Sequence, residues 1–511
     1  MKTDLKKQIV KSKSKKKLTW IIMGSSLVGI VVVSSAIAIP LTIINSNGNS
    51  SNNVSDGNQD QFNPWKPSYV DLNGQQTNEL GFSVPSPDGD KNNAFLISTG
   101  GPRTNNGGEQ IYSQLDSRII NDKYLNLAKR SYSINFSDGY SEHMGTAWIL
   151  DYKLVDNSSS YPLTWYFATN AHVAYNLVVK NDYNGYNSYY ESARFKTSSV
   201  KLTGPKNPDK TTDYSDSNMK PELYNTAEVQ VADYASDSGW TPHENPEVKT
   251  IFIANDFLNS KPSDYNKAPS WQNIEETADF AVVEINFSSE DQAKTITNDY
   301  ANWKENEKFK LAKSLIAKDN KPKENDYYVL GYPQVTYSGV LPGRVKIQIN
   351  QPNNIDLNNP PETGTSLANS KFYSTFSDSS LAGVMDGAIG FSWFKQPNPF
   401  TNENFLYQGL FYIIRQDALK PGASGSMVMN GNLETLGIQF AYDDSTDYGI
   451  TQALRSDGYN YNGLYKWYNN EPYDLIYGGF SNQKKSYKDY LFKAKGNDYK
   501  TNLFPNGNAS S

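Results

Sequence analysis

From position 131 onward, short apolar runs alternate with turn residues along the chain. SYSINFS (131–137) alternates residue by residue, as a strand does. GTAWILDYKL (145–154) and PLTWYFATNA (162–171) are apolar, aromatic-rich runs joined by the polar loop VDNSSSY. The same signature returns in EVKTIFIA (247–254), DFAVVEINF (279–287), DYYVLGYP (326–333), RVKIQI (344–349), GAIGFSWF (387–394) and LYQGLFYIIR (406–415). Helical spacing is confined to about 112–130 and to a Lys- and Ala-containing stretch over 289–318. Many short strands without regular βαβ alternation predict a mostly β fold of antiparallel barrels or sandwiches.

The pattern also divides the chain. Residues 18–44 run without a charge for 27 positions, longer than the roughly 20 that a bilayer crossing needs. Eight lysines precede that run, which places the N-terminus in the cytoplasm and the remainder outside. The organisation expected is a basic tail and transmembrane anchor (1–45), a polar linker (46–64), a small N-terminal region (65–130), and a first β-barrel (131–320). A second barrel (321–481) and a C-terminal tail (482–511) complete it. The stretch 181–272 reads largely as polar surface insertion. Ala36-Ile37-Ala38 offers a signal-peptidase site, so release after cleavage is the alternative to anchoring.

Composition narrows the chemistry. The 511 residues include no cysteine, which removes disulfides, thiolate metal sites, a cysteine nucleophile and a lipid-bearing cysteine together. The net charge is −6, and the basic N-terminus leaves the exported part more acidic still. That balance argues against a nucleic-acid partner, which would want a basic stripe.

Three residue types could together perform acyl transfer. His172 follows an apolar strand in YFATNAHVAYN, where a rigid element can hold an imidazole at a cleft. Asp279 opens the strand ADFAVVEI, near enough to the core to orient that imidazole. Ser424 lies in PGASGS, where Gly422 and Gly425 permit a tight turn that aims the amides of Gly422 and Ser424 at one point, as an oxyanion hole requires. The other two histidines, His143 and His243, sit in polar, loop-like settings and read as solvated. No metal or cofactor is called for.

The order His, Asp, Ser matches the chymotrypsin arrangement. GTAWIL, FATNAHVA, ADFAVVEI and PGASGSMV with LGIQF resemble successive landmarks of trypsin-like serine proteases over about 145–445. The resemblance implies a double β-barrel with long insertions. His172 would then be the base, Asp279 its orienting acid, Ser424 the nucleophile, and Gly422 with Ser424 the oxyanion donors. Ser426 stands where such proteases commonly have glycine. Ala423 replaces the aspartate through which digestive proteases are activated by propeptide cleavage, so that switch is not expected. Asp443, Asp444 and Asp447 lie near the expected specificity pocket, in what reads as a solvated loop.

The chain as a whole, cysteine-free and rich in lysine and asparagine, is similar to the mycoplasma immunoglobulin protease (DUF31 putative peptidase) family. That similarity implies cleavage of host immunoglobulin heavy chains at the cell surface, with an immunoglobulin-binding protein presenting the antibody. Two rivals stand beside it: an inactive surface protein that binds host molecules through its Tyr- and Asn-rich insertions, and an envelope quality-control protease for unfolded chains.

Overall fold

The apolar runs build two antiparallel sheets that share a strand. A computed structural model describes residues 115–508, apart from internal stretches of which 367–383 is the longest, and before them only short strands at 37–38, 68–70, 76–77, 81–84 and 95–98. Of the expected anchor (18–44) the structure describes only Ile37–Ala38, as a short strand paired in parallel with Ala441 and Tyr442 rather than as part of a helix; the linker and most of the small N-terminal region lie outside the described residues. Among the described residues no helix is long and apolar enough to cross a membrane.

The first sheet contains β1 (Ser131–Ser137), β2 (Glu142–Tyr152), β3 (Thr164–Thr169), β4 (Ser199–Pro205), β5 (Tyr224–Gln230), β6 (Val248–Asn255) and β7 (Ile274–Asn286). Its spatial order is β6-β7-β3-β2-β1-β4-β5, antiparallel throughout. A short helix, α1 (Asp122–Arg130), leads into it. The side chain of Asn121 caps α1 by accepting from the amides of Lys123 and Tyr124, at 3.0 and 3.1 Å.

The long apolar runs are explained by burial on both faces. Ile149, Phe167, Ala281 and Val283 join one core with Tyr132, Ile134 and Leu202. Their neighbours Trp148, Tyr166, Ala168, Phe280 and Val282 face a second core, shared with the other sheet and the C-terminal segment. Successive side chains on a strand point to opposite faces, so a strand covered twice loses its polar positions.

The second sheet contains β8 (Tyr327–Gly331), β9 (Gln348–Ile349), β10 (Val384–Ser392), β11 (Asn404–Arg415), β12 (Met427–Asn430), β13 (Thr435–Asp443) and β14 (Tyr448–Ala453). Its order is β9-β8-β12-β13-β14-β11-β10, again antiparallel. The sheets meet along β7. Ile274–Thr277 pair in parallel with β11, whereas Ala281–Asn286 pair with β3. On the other edge of β7, the register with β6 shifts between Thr277 and Ala281. Asp279 therefore sits where the strand changes partners, beside an irregularity of the kind that re-aims a side chain.

Several expectations need correction. The second helical stretch ends early: α3 covers Glu290–Ile296, because Asn298 and Asp299 turn left-handed (φ 50° and 57°). Residues 310–312 then run along β13 rather than around a helix, with Thr435 N–H donating to Lys310 O at 2.7 Å. The first helical stretch is likewise shorter than 112–130. The polar stretch 181–272, expected largely as surface insertion, supplies β4 and β5.

The C-terminal segment, expected as a polar tail, carries α4 (Tyr487–Lys495) and packs Tyr487, Leu491, Phe492 and Phe504 into the core. Lys495 Nζ reaches Glu284 Oε1 at 2.8 Å, and Leu503 N–H donates to Asp151 Oδ1 at 3.0 Å.

Candidate active site

His172 lies in α2 (Ala171–Ala174), a single turn that follows β3 directly. Its Nδ1 is 2.6 Å from Asp279 Oδ2, and its backbone N–H donates to Asp279 Oδ1 at 3.1 Å. Two donors from one residue thus grip both carboxylate oxygens. Asn170 adds a third tie, donating from Nδ2 to the Asp279 carbonyl at 2.7 Å. The aspartate is fully buried, and the histidine side chain is 6% exposed. A carboxylate removed from water and held this way fixes the ring's orientation and favours the proton on Nδ1, leaving Nε2 as the basic nitrogen.

The serine loop reaches this pair through Thr146 on β2. Thr146 N–H donates to the Ser424 carbonyl at 2.7 Å, and its hydroxyl donates to the Gly422 carbonyl at 3.2 Å. Thr169, three residues before His172, donates from Oγ1 to Thr146 O at 2.7 Å. The strand that delivers the histidine is thereby stitched to the loop that carries the serine. Gly425 has φ +98°, and a Cβ there would collide with the Thr146 carbonyl and come within 2.7 Å of Thr169 Oγ1. Gly145 is similarly constrained, since a Cβ would lie 2.5 Å from Val173 Cγ1, one residue past the histidine. Gly425 thus allows close approach of backbone to backbone, and Gly145 leaves room for the Val173 side chain.

Ser424 is 7% exposed, and Gly422 has φ +99°. Among the described residues the amides of Gly422 and Ser424 donate to no partner, while Gly425 N–H is taken by Gln439 O and Ser426 N–H by Ala423 O. Ser426 is buried, and its hydroxyl donates to the Ala423 carbonyl at 2.5 Å.

The remaining candidates fall elsewhere. His143 is a buried residue of β2, not solvated as the sequence implied, and burial lowers its pKa. His243 is partly exposed beside Glu247 and Asp233, 3.3 Å from each. The side chains of Asp443, Asp444 and Asp447 lie outside the described residues. Two residues missed in the sequence belong to the site's framework: Thr146, and Tyr407, whose hydroxyl donates to Asp279 Oδ2 at 3.1 Å. Thr146 follows a glycine in GTAW, a hint of close packing; Tyr407 has no local signature.

A mostly β chain with a buried His–Asp pair beside a glycine-turned serine loop defines a class with known members. The model of the mycoplasma immunoglobulin protease family matches residues 121–441, and the chain belongs to that family. A membrane-associated lipoprotein of Ureaplasma parvum is 28% identical over 477 residues, which cover 77% of this chain and 54% of that protein. An uncharacterized lipoprotein of Mycoplasma pneumoniae is 26% identical, covering 75% of each chain. The present chain thus spans about half the length of the Ureaplasma relative. The solved structure of the mycoplasma MIB and MIP proteins superposes with a TM-score of 0.52 at 21% identity, over 72% of this chain and 60% of that one, and shares its fold.

Proposed function

We propose that the chain is a membrane-anchored serine endopeptidase, built as a trypsin-like double β-barrel, that cleaves immunoglobulin heavy chains presented by an immunoglobulin-binding partner. The observation that carries the reading is the His172–Asp279 pair, 2.6 Å apart and shielded from water. In the proposed reaction His172 Nε2 takes the proton of Ser424 Oγ as that oxygen attacks a peptide carbonyl. The unengaged amides of Gly422 and Ser424 receive the developing oxyanion. The imidazolium, steadied by Asp279, then protonates the leaving amine, and water repeats the sequence to free the acyl group. The occupied hydroxyl of Ser426 favours Ser424 as the nucleophile.

The substrate and the anchor rest on the family and its relatives. The solved neighbour pairs two mycoplasma proteins, which favours a presenting partner. Relatives described as lipoproteins favour a membrane location. This sequence has no cysteine to carry a lipid, so the anchor we propose is the apolar run 18–44. The test is to incubate the full chain with IgG, with and without a presenting binder, alongside Ser424→Ala. Heavy-chain fragments that depend on Ser424 are expected. Intact IgG beside digested casein would instead point to a quality-control protease, and intact IgG and casein together to a binding protein.

A further inference from the structure

Tyr407 reaches Asp279 from the second sheet, and we propose that it is a positioning residue that aims the Asp279 carboxylate at His172. The catalytic consequence of that role rests on the protease reading above; the contact itself does not. The phenol donates to Asp279 Oδ2 at 3.1 Å, the same oxygen that faces His172 Nδ1, and both side chains are buried. The two donors from His172 belong to one short turn, so they would move with it. Tyr407 is a donor to this carboxylate anchored in another sheet.

Three features fix the phenol. Thr277 pairs in register with Tyr407 across the parallel junction of β7 and β11, two residues before Asp279. The ring packs on Phe440 of β13 with centroids 5.2 Å apart, and β13 in turn holds the serine loop through Gln439. Burial, reinforced by the adjacent Asp279 charge, pushes the phenol well above the ordinary tyrosine range, so it keeps its proton and stays a donor. Tyr175 is a further titratable group that feels the Asp279 charge, and its hydroxyl accepts from Asn255 Nδ2 at 2.6 Å. A tyrosine that merely filled the core would not need its hydroxyl on the carboxylate.

The test follows the pH at which His172 titrates, by imidazole NMR on the full chain. With three histidines in the sequence the resonances can be assigned by substitution. In parallel, a fluorophosphonate probe reports the rate of acylation at Ser424. Tyr407→Phe removes one donor, so negative charge concentrates on the imidazole side and the His172 midpoint rises. Probe labelling slows roughly tenfold, the size of one lost hydrogen bond to a charged group. Replacing Tyr407 by 3-fluorotyrosine keeps the ring and strengthens the donor, so the midpoint moves down. That variant decides the matter if Tyr407→Phe does not fold.

In an Asp279→Asn background the effect of Tyr407→Phe should vanish. One His172 midpoint shared by the wild type and the folded Tyr407 variants would overturn the proposal. A shifted midpoint with no labelling of Ser424 in the wild type would leave the aspartate's positioning standing and remove the protease reading.

Discussion

His172 Nδ1 and Asp279 Oδ2 stand 2.6 Å apart although 107 positions separate them in the chain. Asp279→Asn would preserve the shape and present the wrong partner to Nδ1. The expected result is a fall in kcat on the order of 10⁴ with little change in KM, read from peptide hydrolysis.

Removing the proposed nucleophile should be more severe. Ser424→Ala is expected to lower kcat on the order of 10⁶. Its hydroxyl makes no hydrogen bond among the described residues, so the melting temperature should stay close to that of the wild type. Ser426→Ala removes the bond to Ala423 O and should cost stability instead, by about 1 kcal/mol in chemical unfolding.

Gly425→Ala tests the stitch between the two sheets. The new methyl would meet the Thr146 carbonyl in a backbone conformation unfavourable for alanine. A loss on the order of 3 kcal/mol is expected, together with lost activity, because the serine loop must back away from β2.

Buried carboxyls give stability a characteristic pH dependence. Asp151, Asp182 and Glu276 are pushed up to about 7 and Asp474 to about 6, in each case chiefly by burial. Their folded pKa values exceed the unfolded ones, so the folded chain binds more protons between about pH 4 and 7. Stability should therefore fall as pH rises through that window, by up to about 1.4 kcal/mol per unit for each group, and level off above it. Urea unfolding from pH 4.5 to 8 checks the slope, and Asp151→Asn should make it shallower.

The C-terminal segment is expected to behave as core. Leu491 is fully buried on α4, so Leu491→Ala should cost about 2–5 kcal/mol in urea unfolding. No measurable loss would mean that the segment packs less tightly than its burial implies.

The strands around the site were legible because burial on both faces strips them of polar residues, as in FAVVEI and AWIL. Gly422 and Gly425 were legible too, as the residues of a tight turn, and both take positive φ (99° and 98°). The C-terminal helix was hidden by its composition. Six lysines and other polar residues fill much of 482–500, and the signal lay in Ser486 capping Asp489 N–H ahead of Tyr487, Leu491 and Phe492. The early end of α3 depends on two left-handed residues, Asn298 and Asp299, in a sequence otherwise able to continue. Tyr407 was beyond local reading altogether. It is one of 36 tyrosines, and its role comes from a parallel pairing that joins strands more than a hundred positions apart.

That β7 belongs to two sheets has a consequence for how such a chain can diverge. Sliding the strand by one residue would displace Asp279 by about 3.3 Å and turn it to the opposite face, unpairing both neighbours at once. Stretches between landmarks can lengthen, shorten or change character without touching this constraint. Lineages descended from a common ancestor can thus differ widely in their outer decoration while the alignment of this single strand stays frozen.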